Sequence, residues 1–320
     1  MGKKDRKQRK RKERQERLRQ EKHQRHFGTP GYFEVDLVPE YDIPSEAAVE
    51  RQMRFPERSL LGKVRDLLPG AGSADSPRER AQALAYDAMD AETARQAAEL
   101  ARQALALDPD CADALTLLTD LEARSPKARV EGYQQAIAAA ERSLGGPAYL
   151  EKHRGHFWRI LETRPYMRAR ASLAQALREQ GRLPEAIAEY EAMLDLNPHD
   201  NQGNRDLLYN LYFLTDNLDR VRWLLERYKD DASCVHGYAH ILERFLAGDL
   251  AGAAEVRAEA RQYHPDVEPY LTGRKKMPRV LPEFFVWGGE GEGVQVMTSL
   301  GDAWAKHPEA VAWLRSLPGR

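Results

Sequence analysis

The sequence has little cysteine: its 320 residues include only Cys111 and Cys234, which are far apart and have no CxxC partner. This spacing argues against a disulfide framework and a zinc finger, and it fits a reducing compartment. No apolar run approaches the ~20 residues that a membrane-spanning helix needs, and the N-terminus lacks the apolar core of a signal peptide. We therefore expect a cytoplasmic protein without a membrane segment.

Short motifs of common catalytic sites are also absent. The sequence contains no glycine-rich phosphate loop, no G-x-S-x-G nucleophile turn and no cysteine–histidine pair of useful spacing. The stretch GGEGEG at residues 288–293 is acidic and would repel a phosphate, so it is interpreted as a turn. The sequence predicts a protein that is not an enzyme and binds no cofactor.

Charge is balanced overall, with 49 Lys and Arg against 50 Asp and Glu, but it is unevenly distributed. Residues 1–26 hold 13 basic and 4 acidic side chains, a net charge of +9, which leaves 36 basic and 46 acidic side chains elsewhere, a net charge of −10. Because this segment has a single aliphatic residue after Met1, it cannot bury enough apolar surface to fold. It predicts a disordered basic arm, either a solubilising tail or a non-specific tether to nucleic acid.

Residues 27–77 predict an irregular segment and linker, because prolines interrupt FGTPGYFEVDLVPEYDIP and small residues fill LPGAGSADSP. A short helix capped by Ser45 is expected within this segment. Over residues 78–265 the pattern is helical, with apolar residues at three- and four-residue spacing. Its breaks fall at Asp108-Pro109, Gly145-Gly146-Pro147, Gly181, Asn197-Pro198, Gly248 and His264-Pro265.

Three of the helical segments end alike, in LALDPD, LDLNPHD and ARQYHPD. Pro198 and Pro265 are 67 residues apart, one less than two 34-residue units, and 34 residues is the tetratricopeptide period. Alanines at matching positions, Ala97, Ala186 and Ala253, predict close contact between the two helices of each unit.

The chain therefore resembles the tetratricopeptide repeat family. The resemblance is strongest over residues 166–199, moderate over 78–111 and 234–266, and weak over 112–145 and 201–233. A second resemblance is to a bacterial group of helical-repeat proteins related to the suppressor-of-tumorigenicity-7 type. It is carried by LETRPYMRARASLAQAL, LNPHDNQGNRDLL and PYLTGRKKMPRVLPEFFVWGGEGEGVQV. Together these resemblances imply an all-α, right-handed solenoid of about five helix pairs, with no reaction assigned.

Two additions to the repeats are expected. Residues 147–163 predict an inserted helix, and Thr163 is expected to cap the N-terminus of the helix that follows. Residues 266–320 predict a helical cap, which closes the apolar end of the stack. The apolar faces of the cap are supplied by Val296, Leu300, Trp304, Val311 and Leu314.

The tetratricopeptide resemblance also implies a ligand surface, on the first helix of each pair at positions two, five, nine and twelve. Arginine, glutamine and tyrosine at these positions suit an extended peptide with an acidic group, and a merely solvated groove is the alternative. The Lys/Asn set of chaperone-binding members is absent from them. The predicted groove residues are Arg168, Ala171, Gln175 and Arg178, then Gln202, Arg205, Tyr209 and Tyr212.

One histidine cluster suggests a metal site. His236, His240 and Glu243 share one face of a helix and could supply three ligands. However, His240 falls on a packing position of its repeat, and no HExxH base accompanies it. The sequence therefore favours packing and surface roles, and no metal is predicted.

The inserted segment carries a second polar and aromatic set: His153, His156, Trp158 and Glu162. Insertions in repeat arrays often lie on a binding face. Aromatic residues at helical spacing more often fill a core, which favours a packing role for Phe157, Trp158, Ile160 and Leu161.

The leading functional hypothesis is a non-catalytic protein–protein interaction scaffold that binds a peptide or protein. The alternative is a nucleic-acid- or ribosome-associated factor that acts through residues 1–26.

Overall fold

The computed structural model of the chain describes residues 76–279, 288–289 and 291–318. Every regular element within those residues is helical, and the prediction of an all-α solenoid is confirmed. The predicted basic arm, residues 1–26, lies outside the described residues. So does nearly all of the predicted irregular segment, residues 27–77, with its short helix.

Fourteen α-helices make up the described part of the chain, and ten of them form five successive pairs. The pairs are α1 (Pro77–Met89) with α2 (Ala94–Leu107), and α3 (Ala112–Glu122) with α4 (Pro126–Leu144). The short helix α5 (Pro147–Lys152) and two 3-10 turns (Phe157–Arg159 and Leu161–Thr163) precede the pair of α6 (Arg164–Glu179) with α7 (Leu183–Leu196). Next come α8 (Asn204–Leu214) with α9 (Leu218–Arg227), then α10 (Cys234–Leu246) with α11 (Leu250–Tyr263). The chain continues with α12 (Val267–Leu271), α13 (Gly291–Lys306) and α14 (Pro308–Ser316).

Helix ends coincide with the predicted breaks. The hydroxyl of Ser76 accepts the backbone N–H of Glu79 and the Glu79 carboxylate accepts that of Ser76, which closes the first turn of α1. Gly145, Gly181 and Gly248 follow helices with φ of 102°, 72° and 80°, a left-handed conformation that glycine adopts without a Cβ clash. Local chemistry therefore sets where the paired helices stop.

Small residues bring the two helices of each pair together. Ala186 and Ala253 are fully buried, and Ala97 is 6% exposed. They lie on α7, α11 and α2, which pack against α6, α10 and α1 respectively. The predicted packing role of these alanines is confirmed.

The inserted segment contains less helix than predicted, because only α5 is α-helical there. Thr163 stands directly before α6, but its hydroxyl does not cap the helix. Instead, Oγ1 donates to the carbonyl of Ile160 at 2.7 Å and to that of Phe157. The predicted capping role was wrong, because Thr163 has helical dihedral angles (φ −86°, ψ −13°) in place of the extended ones of a capping residue, and its hydroxyl accepts no backbone N–H of α6.

The C-terminal helices bury the predicted apolar faces. Leu300 and Leu314 are at most 2% exposed, as are Val296 and Trp304, while Val311 is half-buried against the core. Of the stretch predicted as a turn, residues 288–289 form a turn and bend, whereas residues 291–293 belong to α13. Helix α13 packs against α8, α10 and α12, so it lies against the interior of the repeat array as well as its end.

Candidate peptide-binding surface

The first helices of the five pairs are α1, α3, α6, α8 and α10, and their exposed side is called the first-helix face below. Within it, α1 contacts α3, α3 contacts α6, and α8 contacts α10. The seven polar and aromatic residues predicted to bind a peptide lie on α6, on α8 and in the turn before α8. The structure gives them different environments.

Arg168 joins three first helices. Its Nε and Nη2 donate to the two carboxylate oxygens of Asp113 on α3, at 2.9 and 2.6 Å. Asp113 is fully buried and also accepts from Gln82 Nε2 of α1 at 2.6 Å. The Arg168 guanidinium lies 5.8 Å from the ring centre of Tyr86, also on α1. Arg168 therefore holds the array together through a buried carboxylate that the sequence analysis missed.

Gln175 and Arg178 lie half-buried on α6 and bond within their own helix. Gln175 Nε2 donates to Glu179 Oε1 at 2.8 Å, and Arg178 Nε donates to Gln175 Oε1 at 3.2 Å. These bonds connect side chains one turn apart, and such pairs are individually weak. A ligand could replace them without disturbing the packing between helices.

A cleft of about 390 Å³ opens beside Gln175, between α3, α4 and α6. Ligand pockets occupy ~300–1,000 Å³, so this cleft has room for one or two residues of a peptide. Asp120 lies at position nine of the unit that begins at Ala112, so the rule that found Gln175 could also have found it. The cleft is lined by Asp120, Arg129, Tyr133, Ala171, Ser172, Gln175, Ala176 and Glu179.

Charged side chains of both signs line this cleft. The hydroxyl of Tyr133 donates to the carboxylate of Asp120. Burial raises the pKa of Asp120, and this effect exceeds the lowering by the Tyr133 hydrogen bond and the Arg129 charge. At the rim, Arg129 Nη1 lies 3.6 Å from Glu179 Oε2. The cleft therefore holds two carboxylates and one guanidinium.

Arg205 belongs to an ion-pair cluster at the start of α8. Its Nε donates to Asp231 Oδ2 at 2.7 Å, and its Nη1 lies 3.2 Å from Asp200 Oδ2. The Asp200 carboxylate also accepts the backbone N–H groups of Asn204 and Arg205, at 2.8 and 2.9 Å. Through these bonds, Asp200 satisfies the first two backbone N–H groups of α8. Gln202, in the preceding turn, is half-buried, and its Oε1 has no hydrogen-bond partner among the described residues.

Tyr209 and Tyr212 are both fully buried. The Tyr209 hydroxyl lies 2.9 Å from His236 Nδ1, and the Tyr212 hydroxyl donates to Glu191 Oε1 at 2.7 Å. Burial raises the pKa of both phenols. A side chain without exposed surface offers a ligand no contact in this conformation, so these tyrosines support the array from inside.

Helix α13 packs against α8 and α10, the first helices of the last two pairs. The backbone N–H of Ala303 donates to Asn210 Oδ1 of α8 at 3.0 Å. Lys306 Nζ donates to the carbonyl of Leu214 at 2.9 Å and to Asp216 Oδ1 at 2.6 Å, so it neutralises the end of α8. Asn210 stands one residue after Tyr209, and one residue turns a helix by about 100°. The side of α8 that meets α13 is thus offset by one residue from the predicted groove.

The three candidate metal ligands bond to different partners. His240 accepts from Arg244 Nε at 3.2 Å, Glu243 accepts from Arg222 Nε at 2.6 Å, and His236 bonds to a tyrosine as described above. Burial lowers the pKa of both histidines. Across residues 76–279, 288–289 and 291–318, no group of three His, Cys, Asp or Glu side chains is arranged to hold a metal ion.

The inserted segment packs through one aromatic residue. Phe157 is fully buried, which confirms its predicted role, while Trp158, Ile160 and Leu161 are half-buried. The guanidinium of Arg164 lies 4.8 Å from the ring centre of Trp158. His153 lies against Tyr149, with ring centres 4.3 Å apart, while His156 and Glu162 are exposed.

Both cysteines are buried free thiols. Burial raises the pKa of each to about 12, so the reactive thiolate is scarce at neutral pH. Neither thiol is placed as a nucleophile in this structure.

Comparison with known proteins gives a distant relative. No protein-family model matches the chain. It is 25% identical to the Protein ST7 homolog of Caenorhabditis elegans, in an alignment that covers 61% of this chain and 43% of that protein. The chain thus spans less than half the length of this relative.

Among solved structures, the pilF protein of Pseudomonas aeruginosa is 18% identical, over 58% of this chain and 91% of that chain, with a TM-score of 0.29. None of the described helices is long and apolar enough to cross a membrane. The chain is a helical-repeat protein with distant sequence similarity to the ST7 homolog.

Proposed function

We propose that the chain is a non-catalytic scaffold that binds an extended peptide segment of a partner protein on the first-helix face of α1, α3 and α6. Helical-repeat proteins use extended surfaces of this kind for protein partners. We also propose a cytoplasmic location, because both cysteines are free thiols, which suits a reducing compartment.

The observation that carries the proposal is the open cleft beside Gln175. It lies where α3 and α6 meet, and its lining combines polar groups with small apolar residues. On α8, by contrast, the groove positions Tyr209 and Tyr212 are fully buried, and α13 packs against the neighbouring side of the helix. The surface proposed for a peptide is therefore the N-terminal part of the first-helix face.

Residues on this surface have two roles in the proposal. Gln175 and Arg178 contact the peptide, since their present bonds lie within one helix. Arg168 fixes the spacing of α1, α3 and α6 through Asp113. Of the other predicted groove residues, Tyr209 and Tyr212 support the array from its interior and Arg205 joins the ion-pair cluster at the start of α8, while Gln202 is half-buried in the preceding turn.

A selection from a displayed library of random dodecapeptides tests the proposal. We expect peptides that bind the full chain but lose binding when Gln175→Trp fills the mouth of the cleft. The matched control is Glu226→Trp, which places the same indole at an exposed position of a second helix, α9. Enriched peptides that bind the Gln175→Trp protein as well as the native protein contradict the proposal, as does a selection that enriches none.

A second proposal concerns residues 1–26, whose net charge of +9 favours polyanions such as RNA or DNA. It rests on charge alone and is compatible with the scaffold role. The deletion experiment in the Discussion tests it.

A further inference from the structure

We infer that His264 is a pH-sensitive anchor for the first turn of α13, which it holds in place while both of its ring nitrogens carry a proton. The inference goes beyond the proposed function, because it concerns how the C-terminal helices are attached to the repeats. It rests on the hydrogen-bond partners of one buried imidazole.

The imidazole of His264 joins three segments of the chain. His264 follows the last residue of α11, and its Nδ1 lies 2.9 Å from Glu292 Oε2 in the first turn of α13. Its Nε2 lies 2.9 Å from the carbonyl oxygen of Ala232, in the turn before α10. The side chains of His264 and Glu292 are 3% and 4% exposed. Water therefore has little access to either contact.

Both partners of the ring are hydrogen-bond acceptors. A carbonyl oxygen and an ionised carboxylate have no hydrogen to donate, and a neutral imidazole has a single N–H. In either neutral tautomer, one ring nitrogen would direct its lone pair at an oxygen 2.9 Å away. Such a contact leaves two buried acceptors without a donor, which costs free energy. The imidazolium form donates at both nitrogens and satisfies both contacts.

The carboxylate of Glu292 completes the arrangement. Its Oε1 accepts the backbone N–H of Gly288 at 2.9 Å, so each of its oxygens has a donor when His264 is charged. The imidazolium also balances the negative charge of a carboxylate that is withdrawn from water. Loss of the proton would break one of the two ring contacts and remove the positive charge beside Glu292. The anchor is therefore strongest while the proton is bound, and it weakens as pH rises.

Neighbouring groups favour the charged form of the ring. Burial and the negative charges of Glu292 and Asp206 raise the pKa of Cys234, at the start of α10, to about 12, so both carboxylates lie near this thiol. A second carboxylate near the pair stabilises a cation there.

The adjoining turns carry further titratable groups. Asp231 is already paired with Arg205, and Lys229 lies 3.7 Å from Glu226. The titratable residues of these turns are Tyr228, Lys229, Asp230 and Asp231 before α10, and Asp266 after α11.

Release of the first turn of α13 would uncover Cys234. The Sγ of this cysteine lies 3.9 Å from the carbonyl oxygen of Glu292 and 3.6 Å from Gln295 Oε1, so α13 shields the thiol. The other cysteine, Cys111, is buried in a separate core cluster of α1, α2 and α3. The two thiols of the chain thus provide a probe and its internal reference.

Nuclear magnetic resonance of the full chain with ¹⁵N-labelled histidine tests the protonation directly. We expect both ring nitrogens of His264 to carry hydrogen at about pH 7.5, where an exposed histidine is mostly neutral. The signals of His264 are assigned by their absence from His264→Gln. A ring nitrogen of His264 without hydrogen at this pH overturns the inference.

Glu292→Gln removes the need for the second proton. The amide N–H of glutamine can donate to Nδ1 of a neutral imidazole, while its oxygen still accepts from Gly288. The neutral ring then keeps its N–H for the carbonyl of Ala232. The control is Glu309→Gln, which replaces the exposed carboxylate beside His307.

Alkylation of the thiols, followed by mass spectrometry, measures release of the turn from about pH 8 to about pH 9.5. Asp206, with a pKa of about 7, is largely ionised throughout this range. In the native protein and in Glu309→Gln, the rate at Cys234 relative to Cys111 should rise by up to about tenfold per pH unit, since opening releases one proton. In Glu292→Gln the ratio should stay constant.

Each outcome of these measurements decides. A ratio that rises equally in Glu292→Gln, or that does not rise in the native protein, overturns the inference. Circular dichroism verifies that the variants are folded. The ring measurement uses the native chain, so it decides even if Glu292→Gln does not fold.

Discussion

Asp113 of α3 and Arg168 of α6 are 55 positions apart in the sequence and form an ion pair with two hydrogen bonds, of 2.9 and 2.6 Å. The side chain of Asp113 is 1% exposed and that of Arg168 is 26% exposed. Gln82 adds a third bond from α1, so one buried carboxylate connects three first helices. This carboxylate fixes the spacing of the surface on which a peptide is proposed to bind.

Arg168→Ala should destabilise the protein by about 3 kcal/mol, because it leaves the buried Asp113 charge without a cation. Urea unfolding measures the change. The matched control is Arg182→Ala, which removes the partner of Glu185 in an exposed ion pair and should destabilise the protein far less than Arg168→Ala does. Equal losses for the two variants would show that the Asp113 pair adds nothing beyond a surface ion pair.

Replacement of two glycines of α13 by alanine should have opposite effects on stability. A Cβ at Gly293 would clash with the ring of Tyr270 and lie 2.7 Å from the backbone oxygen of Asp266, so Gly293→Ala should destabilise the protein by roughly 1–3 kcal/mol. At Gly301 the added Cβ would meet only Met297 Cε, at 3.6 Å. Gly301→Ala should therefore stabilise α13 by up to about 1 kcal/mol.

Thermal or urea unfolding of the two alanine variants compares them directly. If Gly293→Ala is as stable as Gly301→Ala, then α12 and α13 do not approach each other as closely at Gly293 as described.

Local patterns in the sequence predicted the repeat because local chemistry determines it. Gly181 and Gly248 adopt a conformation that other residues rarely accept, and Ala186 and Ala253 are required by the distance between paired helices. These requirements recur at a fixed spacing, so they are visible without any knowledge of distant contacts.

The binding surface was harder to predict because it depends on distant contacts. The amphipathic pattern of α13 shows that it packs, but it does not show that α8 and α10 receive it. Likewise, nothing in the sequence around Arg168 indicates that Asp113 would accept hydrogen bonds from its guanidinium. On α8, the residue that bonds to α13 is Asn210, one position after the predicted groove residue Tyr209.

Stability should depend on pH through Asp206. Its pKa is raised to about 7, mainly by burial, whereas in the unfolded chain it lies near the usual value of 3.8. The folded protein therefore holds this proton more tightly than the unfolded chain, and the destabilisation from ionising Asp206 grows as pH rises from about 4 to about 7.

We expect Asp206→Asn to be more stable than the native protein by more than about 1 kcal/mol at about pH 8, with the difference vanishing near about pH 4. The two proteins are compared by urea unfolding at each pH. Titrating groups that do not interact with Asp206 are present in both proteins and contribute equally to the two stabilities. A difference that is independent of pH would contradict the account.

Deletion of residues 1–26 should abolish binding to RNA or DNA, because the rest of the chain has a net charge of −10. Filter binding at several salt concentrations measures this, and the affinity of the full chain should fall steeply as salt rises. The melting temperature should change by no more than about 2 °C, since the arm has almost no apolar surface to bury.

A matched control keeps the length of the arm and replaces its 13 Lys and Arg with glutamine. If the deletion leaves nucleic-acid affinity intact, or if the full chain binds no polyanion at low salt, the tether hypothesis fails.

The most direct test of the proposed binding surface is to locate a selected peptide on the chain by photo-crosslinking and mass spectrometry. A peptide that carries a photoreactive phenylalanine analogue should attach to α3, α4 or α6, close to Asp120 and Gln175. Attachment should be lost in Gln175→Trp and retained in Glu226→Trp. Attachment to α9 or α13, unaffected by Gln175→Trp, would contradict the account.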